Sequence, residues 1–176
     1  TIPARRFDAL QARRRTVPGR SGCGLCGAET LEQAIRPVRR VNAGDVLALD
    51  SLQSAFERLA QMQPLNAECG ALHAAAALSK DTLIAREDVG RHNALDKVIG
   101  ALASVGSRAD ALLVTSRASY ELVHKCAQAD VGVLAAVSAP TAFAVRLARE
   151  AGLTLAGFAR PGRITLYSHP QRIAAA

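Results

Sequence analysis

From residue 82 onward the sequence alternates short apolar runs with amphipathic stretches, and few folds accept that rhythm. Residues 82–86 read as a strand, followed by a helix carrying Leu95, Val98, Ile99 and Leu102 on one face. Residues 111–115 form the next strand, with Leu122, Val123 and Cys126 on the helix behind it. A strand at 133–137, a helix from about Pro140 to Ala151, and strands at 153–158 and 164–167 complete the series. Strands separated by helices at this spacing predict an α/β protein, a three-layer α/β/α sandwich around a mostly parallel mixed sheet. Aromatic residues make up only 3% of the chain and Trp is absent, so Ala, Leu and Val must build the core. A chain of 176 residues suffices for one such domain with an appendage, and no internal repeat is evident.

The part before residue 82 is less regular. Asp50 and Ser51 offer helix caps, and Leu52, Phe56 and Leu59 recur at i, i+4 and i+7. This predicts a helix to about Gln63, stopped by Pro64. Residues 69–78, rich in alanine, are expected to form a tightly packed small-residue helix. Residues 30–43 are a short mixed stretch interrupted by Pro37, and residues 1–20 read as a linker or tail. The expected division is therefore a basic N-terminal segment with a cysteine loop over 1–43, and a cofactor-binding domain over 44–176.

That loop is Ser21-Gly22-Cys23-Gly24-Leu25-Cys26-Gly27, behind a run of arginines. Glycine on both sides of a thiol reads as a flexible arm, and nearby cations favour the nucleophilic thiolate. Sulfur transfer through Cys23 or Cys26 is one reading. A structural zinc site built from Cys23, Cys26, Cys69 and His73 is another that the spacing allows. Cys126, on an apolar helix face, reads as an inert core residue. Zinc deaminases carry H-x-E before P-C-x-x-C. Here Ala75 stands at the glutamate position and the C-x-x-C pair precedes His73, which argues against deamination.

Ligands in α/β sheets bind at the carboxyl ends of strands, where helix N-termini present free N–H groups. Three polar turns follow strands here: Glu87 to Asn93, Ser116 to Ser119, and Ser138 to Thr141. Arg91, His92, Arg117 and Ser119 in these turns are second-tier candidates for an anionic ligand. Near the C-terminus, Pro161-Gly162 predicts a tight turn that holds Arg160 and Arg163 close together. The net charge of +7 favours anionic ligands or acidic protein surfaces. No nucleic-acid motif accompanies it and stacking aromatics are scarce, so nucleic acid is not expected as a partner. No membrane span or leader is read in the sequence, and four cysteines in such a chain favour a reducing, cytoplasmic setting.

The chain resembles the formate dehydrogenase accessory sulfurtransferase (FdhD) family. Beyond the cysteine loop, the resemblance rests on Gly70-Ala71-Leu72-His73-Ala74-Ala75-Ala76 and on Arg86-Glu87-Asp88-Val89-Gly90-Arg91-His92-Asn93-Ala94-Leu95-Asp96-Lys97. It continues through Thr115-Ser116-Arg117-Ala118-Ser119-Tyr120-Glu121, Ser138-Ala139-Pro140-Thr141, Gly157 to Arg163, and His169-Pro170-Gln171-Arg172. The resemblance implies a cytidine-deaminase-like fold without deaminase zinc chemistry. It implies a sulfur carrier that takes persulfide sulfur from a cysteine desulfurase and passes it to the molybdenum cofactor, bis-molybdopterin guanine dinucleotide, for formate dehydrogenase. Carried over by position, Cys23 matches the persulfide-bearing cysteine and Cys26 its partner. Phe158, Ala159, Arg160, Pro161, Gly162 and Arg163 match the cofactor-binding stretch, where a guanine nucleotide such as GDP is expected to bind as a partial mimic. A homodimer is a further expectation of the resemblance. Family members usually carry a β-rich region ahead of the cysteine loop, and residues 1–20 are expected to be its stump. A non-catalytic cofactor-binding chaperone and a structural zinc module are the alternatives.

Overall fold

The computed structural model describes residues 37–42 and 44–174. The fold they form belongs to the unit made of residues 38–176. Its elements run in the order β1 (Leu47–Ala48), α1 (Leu49–Gln61), α2 (Pro64–Cys69), β2 (His73–Ser79), β3 (Thr82–Asp88) and α3 (Arg91–Ser104). Then come β4 (Ala111–Val114), α4 (Tyr120–Gln128), β5 (Val133–Ala136), α5 (Ala142–Ala151), β6 (Thr154–Arg160), β7 (Arg163–Ser168) and β8 (Ile173–Ala174). The strand–helix alternation read after residue 82 is present element for element.

Six strands form one sheet in the order β3-β2-β4-β5-β6-β7, and β1 pairs with β8 in a small second sheet. β4, β5 and β6 are mutually parallel, whereas β2–β3, β2–β4 and β6–β7 are antiparallel. The sheet is thus mixed as expected, but its parallel part is the three-stranded centre, and antiparallel pairings outnumber parallel ones. Both departures come from hairpins, which a rhythm of strands and helices does not reveal.

Side-chain alternation divides the core into two layers. Ala75, Ala77, Leu112, Val114, Leu134, Ala136 and Leu155 face α3, α4 and α5. Ala74, Ala76, Leu78, Leu113, Val133, Ala135 and Ala156 face α1, which contributes Leu52, Ala55 and Leu59. That is the three-layer arrangement. Each fully buried leucine contributes about 1.5–3 kcal/mol relative to exposure, so the helical faces at Leu95, Val98 and Leu122 are held firmly. α3 and α4 are also tied by Lys125 Nζ, which donates to both oxygens of Asp96 at 2.7 Å.

The alanine-rich run at 69–78 is a correction to the sequence reading. Residues 73–79 are a strand, not a helix. Alanine has the highest helix propensity, yet this run lies between β3 and β4 with helices over both faces. Successive alanines face opposite layers, and their small volume suits a strand covered on both sides. The short α2 consumes the residues just before it and ends at Gly70, whose φ of +65° gives the left-handed cap.

Cys126 is fully buried, its Sγ donating to Val131 O at 3.4 Å, and burial pushes its thiol pKa far up. It is the inert core residue expected. Just beyond the C-terminal end of α4, Asp130 accepts from Asn42 N at 2.9 Å and Asn42 Nδ2 at 2.5 Å, with Arg39 and Arg108 nearby. This fastens residues 38–42 to the domain.

Candidate functional site at the carboxyl edge of the sheet

Because β3 and β4 each run antiparallel to β2, β3 points the same way as β4, β5 and β6. Their four carboxyl ends therefore share one edge of the sheet, together with the first residues of β2 and β7. Every polar turn singled out in the sequence lies on that edge, and α3, α4 and α5 all start there. The turns are stitched to one another. Thr115 N donates to Ala74 O at 3.0 Å, and Ala74 N donates to Thr115 Oγ1 at 2.9 Å. Thr141 N donates to Ala118 O at 3.0 Å, and Phe158 N to Ser138 O at 3.4 Å.

The first turn is braced by Asp88. Lys97 Nζ lies 2.6 Å from its carboxylate, and Gly90 N and Asn93 Nδ2 donate to it at 2.9 and 3.1 Å. These bonds, the one from Lys97 foremost, lower its pKa to about 2. Glu87 is engaged too, accepting from Leu65 N and Asn66 N at 3.1 and 2.8 Å and so capping α2. Both carboxylates are thus committed to holding these turns and the start of α2.

Between the starts of α3 and α4 lie three buried polar atoms without a hydrogen-bond partner: Arg91 Nε, His92 Nε2 and Ser119 Oγ. His92 Nε2 is 3.9 Å from Glu121 Oε2, beyond hydrogen-bond reach. Burial, and then the charge of Arg91, lower the His92 pKa despite Glu121, so the ring is neutral near pH 7 and offers one donor and one acceptor nitrogen. Ser119 is the N-cap of α4, yet its side chain makes no cap bond; Thr141 of α5, by contrast, accepts from Ala144 N. Buried polar atoms left unpaired cost about 1–3 kcal/mol each. Arg91 Nε, His92 Nε2 and Ser119 Oγ therefore have hydrogen-bonding capacity that the described protein groups do not use.

The hairpin β6–β7 supplies the other half of the edge. A Cβ on Gly157 would lie 2.8 Å from Pro140 Cδ, 3.1 Å from Tyr167 Cε2 and 3.2 Å from Ser138 O. Only glycine lets β6 approach the Ser138–Pro140 turn this closely. Next in sequence, Phe158 has φ +51°, within a break in register between Gly157 and Arg160. A left-handed aromatic residue costs of order 1–3 kcal/mol, and such strain concentrates at functional positions. Ala159 is buried, and Arg160 pairs directly with Arg163 across Pro161-Gly162, where Gly162 has φ +72°. The sequence-predicted turn is therefore present. The two exposed arginines occupy facing cross-strand positions, with no ion-pair partner for either among the described residues. Like charges at facing cross-strand positions are unfavourable unless an anion joins them.

Sequence reasoning missed an aromatic pair on the same edge. Tyr120 and Phe143, at the starts of α4 and α5, have ring centroids 5.1 Å apart, with the Arg146 guanidinium 5.4 Å from the Phe143 centroid. The available signal was scarcity: of six Phe and Tyr residues in the chain, Tyr120, Phe143 and Phe158 all lie at or near the ends of elements on this edge.

Cys23 and Cys26 lie outside the described residues. Of the other members of the proposed zinc set, Cys69 is exposed at the end of α2 and His73 opens β2. Among the described residues no group of three or more His, Cys, Asp and Glu side chains is arranged to hold a metal ion. No described helix is long and apolar enough to cross a membrane.

A family model for the FdhD/NarQ family matches residues 1–174. Curated relatives carry the name sulfur carrier protein FdhD. One from Cupriavidus necator is 54% identical over 98% of this chain and 61% of its own length. One from Bordetella bronchiseptica is 52% identical over 94% and 62%, and one from Xanthomonas euvesicatoria is 51% identical over 98% and 63%. The chain thus spans about three fifths of the length of these relatives. A crystal structure described as a formate dehydrogenase accessory protein from Desulfotalea psychrophila superposes with a TM-score of 0.73 at 29% identity, covering 78% of this chain and 59% of that one.

Proposed function

The chain belongs to the FdhD/NarQ family, and from that premise we propose that it acts as a sulfurtransferase: it accepts sulfur from a cysteine desulfurase on Cys23, with Cys26 as partner thiol, and passes it to the molybdenum cofactor bound at the carboxyl edge of the sheet. The reading is supported above all by the facing pair Arg160 and Arg163, two exposed cations at paired positions on the same sheet edge as the turns that carry Arg91, His92 and Ser119.

The cofactor is substrate here, a bis-molybdopterin guanine dinucleotide whose pyrophosphates, guanines and pterins ask for cations, hydrogen-bonding groups and ring faces. Arg160 and Arg163 suit the phosphate oxygens. Phe158, strained beside them, supplies a ring. Arg91 Nε offers a donor, while neutral His92 and Ser119 Oγ offer both donor and acceptor capacity to the polar ring edges. The start of each flanking helix adds partial positive charge.

Loading the thiol needs no oxidant. The Cys23 thiolate attacks the outer sulfur of the desulfurase persulfide, a new S–S bond forms on Cys23, and the desulfurase cysteine leaves as thiolate. Arginines near the loop favour the attacking thiolate. Formate dehydrogenase is the recipient of the sulfurated cofactor, the cytoplasm is the setting, and the active species is a homodimer.

Calorimetric titration with GDP tests the site. Binding should be saturable and should fall at least tenfold in an Arg160→Ala/Arg163→Ala double variant of unchanged melting temperature. Undiminished GDP affinity in that variant removes the edge from the account. Cys23→Ala separates a carrier from a chaperone: a variant that still binds GDP and still supports active formate dehydrogenase is a chaperone.

A further inference from the structure

Among the described residues β3 is the outermost strand of the large sheet and pairs with β2 alone. An unpaired strand edge is a template for a further extended segment. Alongside β3 opens a cavity of about 730 Å³, walled by Met62 and Leu65 on one side, Ala85 and Arg86 of the strand, and Lys97 and Gly100 of α3. The volume lies within the range of recognition sites. Met62 and Leu65 are 39% and 56% exposed, which gives the groove an apolar rim. Its α3 wall is low, because a Cβ on Gly100 would meet nothing within 4 Å.

The charge in the groove is not balanced in its availability. Glu87 has both oxygens on the α2 backbone, and Asp88 is engaged by Lys97, Gly90 and Asn93. Arg86, in contrast, is exposed and donates only to the carbonyl of its neighbour Ala85, at 2.7 Å, with no carboxylate partner among the described residues. The uncommitted charge beside the open strand edge is cationic.

The geometry points to a docking groove for an extended, acidic segment of a partner protein, which adds as a strand to β3, lays apolar side chains on Met62 and Leu65, and sets a carboxylate against Arg86. None of the Arg160–Arg163 hairpin takes part, so the inference stands independently of the sulfur-transfer reading.

Fluorescence anisotropy with two short labelled peptides tests it on the intact chain, one alternating valine and glutamate, the other valine and lysine. The glutamate peptide should bind saturably and at least tenfold more tightly than the lysine peptide, with affinity falling as salt rises. Arg86→Glu should reverse the preference. Gly100→Leu should fill the groove and abolish binding of both peptides while the circular dichroism spectrum and melting temperature are retained, since the new side chain enters open space. The inference is overturned by no binding of the glutamate peptide, by equal binding of the two peptides, or by binding that survives Gly100→Leu. Displacement of the peptide by GDP also overturns it, because the peptide would then sit on the hairpin side of the sheet.

Discussion

Adding a single methyl group at Gly157 should disturb both the fold and the site. The Cβ of Gly157→Ala would stand 2.8 Å from Pro140 Cδ and 3.2 Å from Ser138 O. One neighbour is a closed ring and the other a backbone carbonyl, so neither can rotate away; only Tyr167, at 3.1 Å, is a side chain with rotational freedom. Overpacking of this kind costs typically 1–3 kcal/mol, and with two rigid neighbours the expected loss is about 2–3 kcal/mol. Relief must come from moving β6 away from the turn after β5, which weakens the bond from Phe158 N to Ser138 O. The register break that holds Phe158 and faces Arg160 with Arg163 then shifts as well. Urea unfolding reads the first effect as a lower midpoint with unchanged slope. GDP titration reads the second as a loss of tenfold or more. Gly100→Ala is the control: it lies in a helix with open space around its Cβ, so it should stabilise by about 0.5–1 kcal/mol. A Gly157→Ala protein with unchanged midpoint and unchanged GDP affinity would refute the close approach on which the hairpin geometry depends.

Leu95→Ala removes a fully buried side chain from the layer beneath α3 and should cost about 2–5 kcal/mol in urea unfolding. Asp88 has its pKa lowered to about 2 in the folded state, so its stabilising contribution is complete above the ordinary carboxylate range and is lost as pH falls from near 4 towards 2. Asp88→Asn should therefore flatten the melting-temperature profile in that window alone; an unaltered acid limb contradicts the brace. His92 is held neutral by burial, so its contribution is present above its ordinary pKa and declines as pH falls below about 6.5. His92→Gln should remove that decline from the melting-temperature profile between pH 7 and 5 and weaken GDP binding at pH 7.5.

Periodicity carried most of the domain. The helical spacing of Leu95, Val98 and Leu102, and the short apolar runs at 111–114 and 133–136, are enough to place α3, β4 and β5, because a covered sheet requires those patterns. The Pro161-Gly162 turn was legible for a local reason, since Gly162 needs its left-handed φ whatever surrounds it. β2 was not legible, because five consecutive buried residues of mostly alanine carry a helix propensity that only the neighbouring strands overrule. Pro64 was read as a stop, yet it also serves as the first residue of α2, a position where its missing N–H does no harm. At the site, composition identified the Arg and Ser turns but not the unpaired state of Arg91 Nε, His92 Nε2 and Ser119 Oγ. That depends on how α3 and α4 pack, a fact of tertiary geometry. The same holds for the left-handed Phe158, which nothing in its own residue type requests.

The central claim concerns sulfur, and mass spectrometry addresses it directly. The purified chain is incubated with an active cysteine desulfurase and cysteine, with and without GDP, then mapped by peptide mass under non-reducing conditions. The account predicts the mass of one added sulfur atom on Cys23 or Cys26, and no addition on Cys126, whose thiol is buried and held protonated. Absence of added sulfur from both Cys23 and Cys26, while the desulfurase itself is loaded and turning over, would contradict the account.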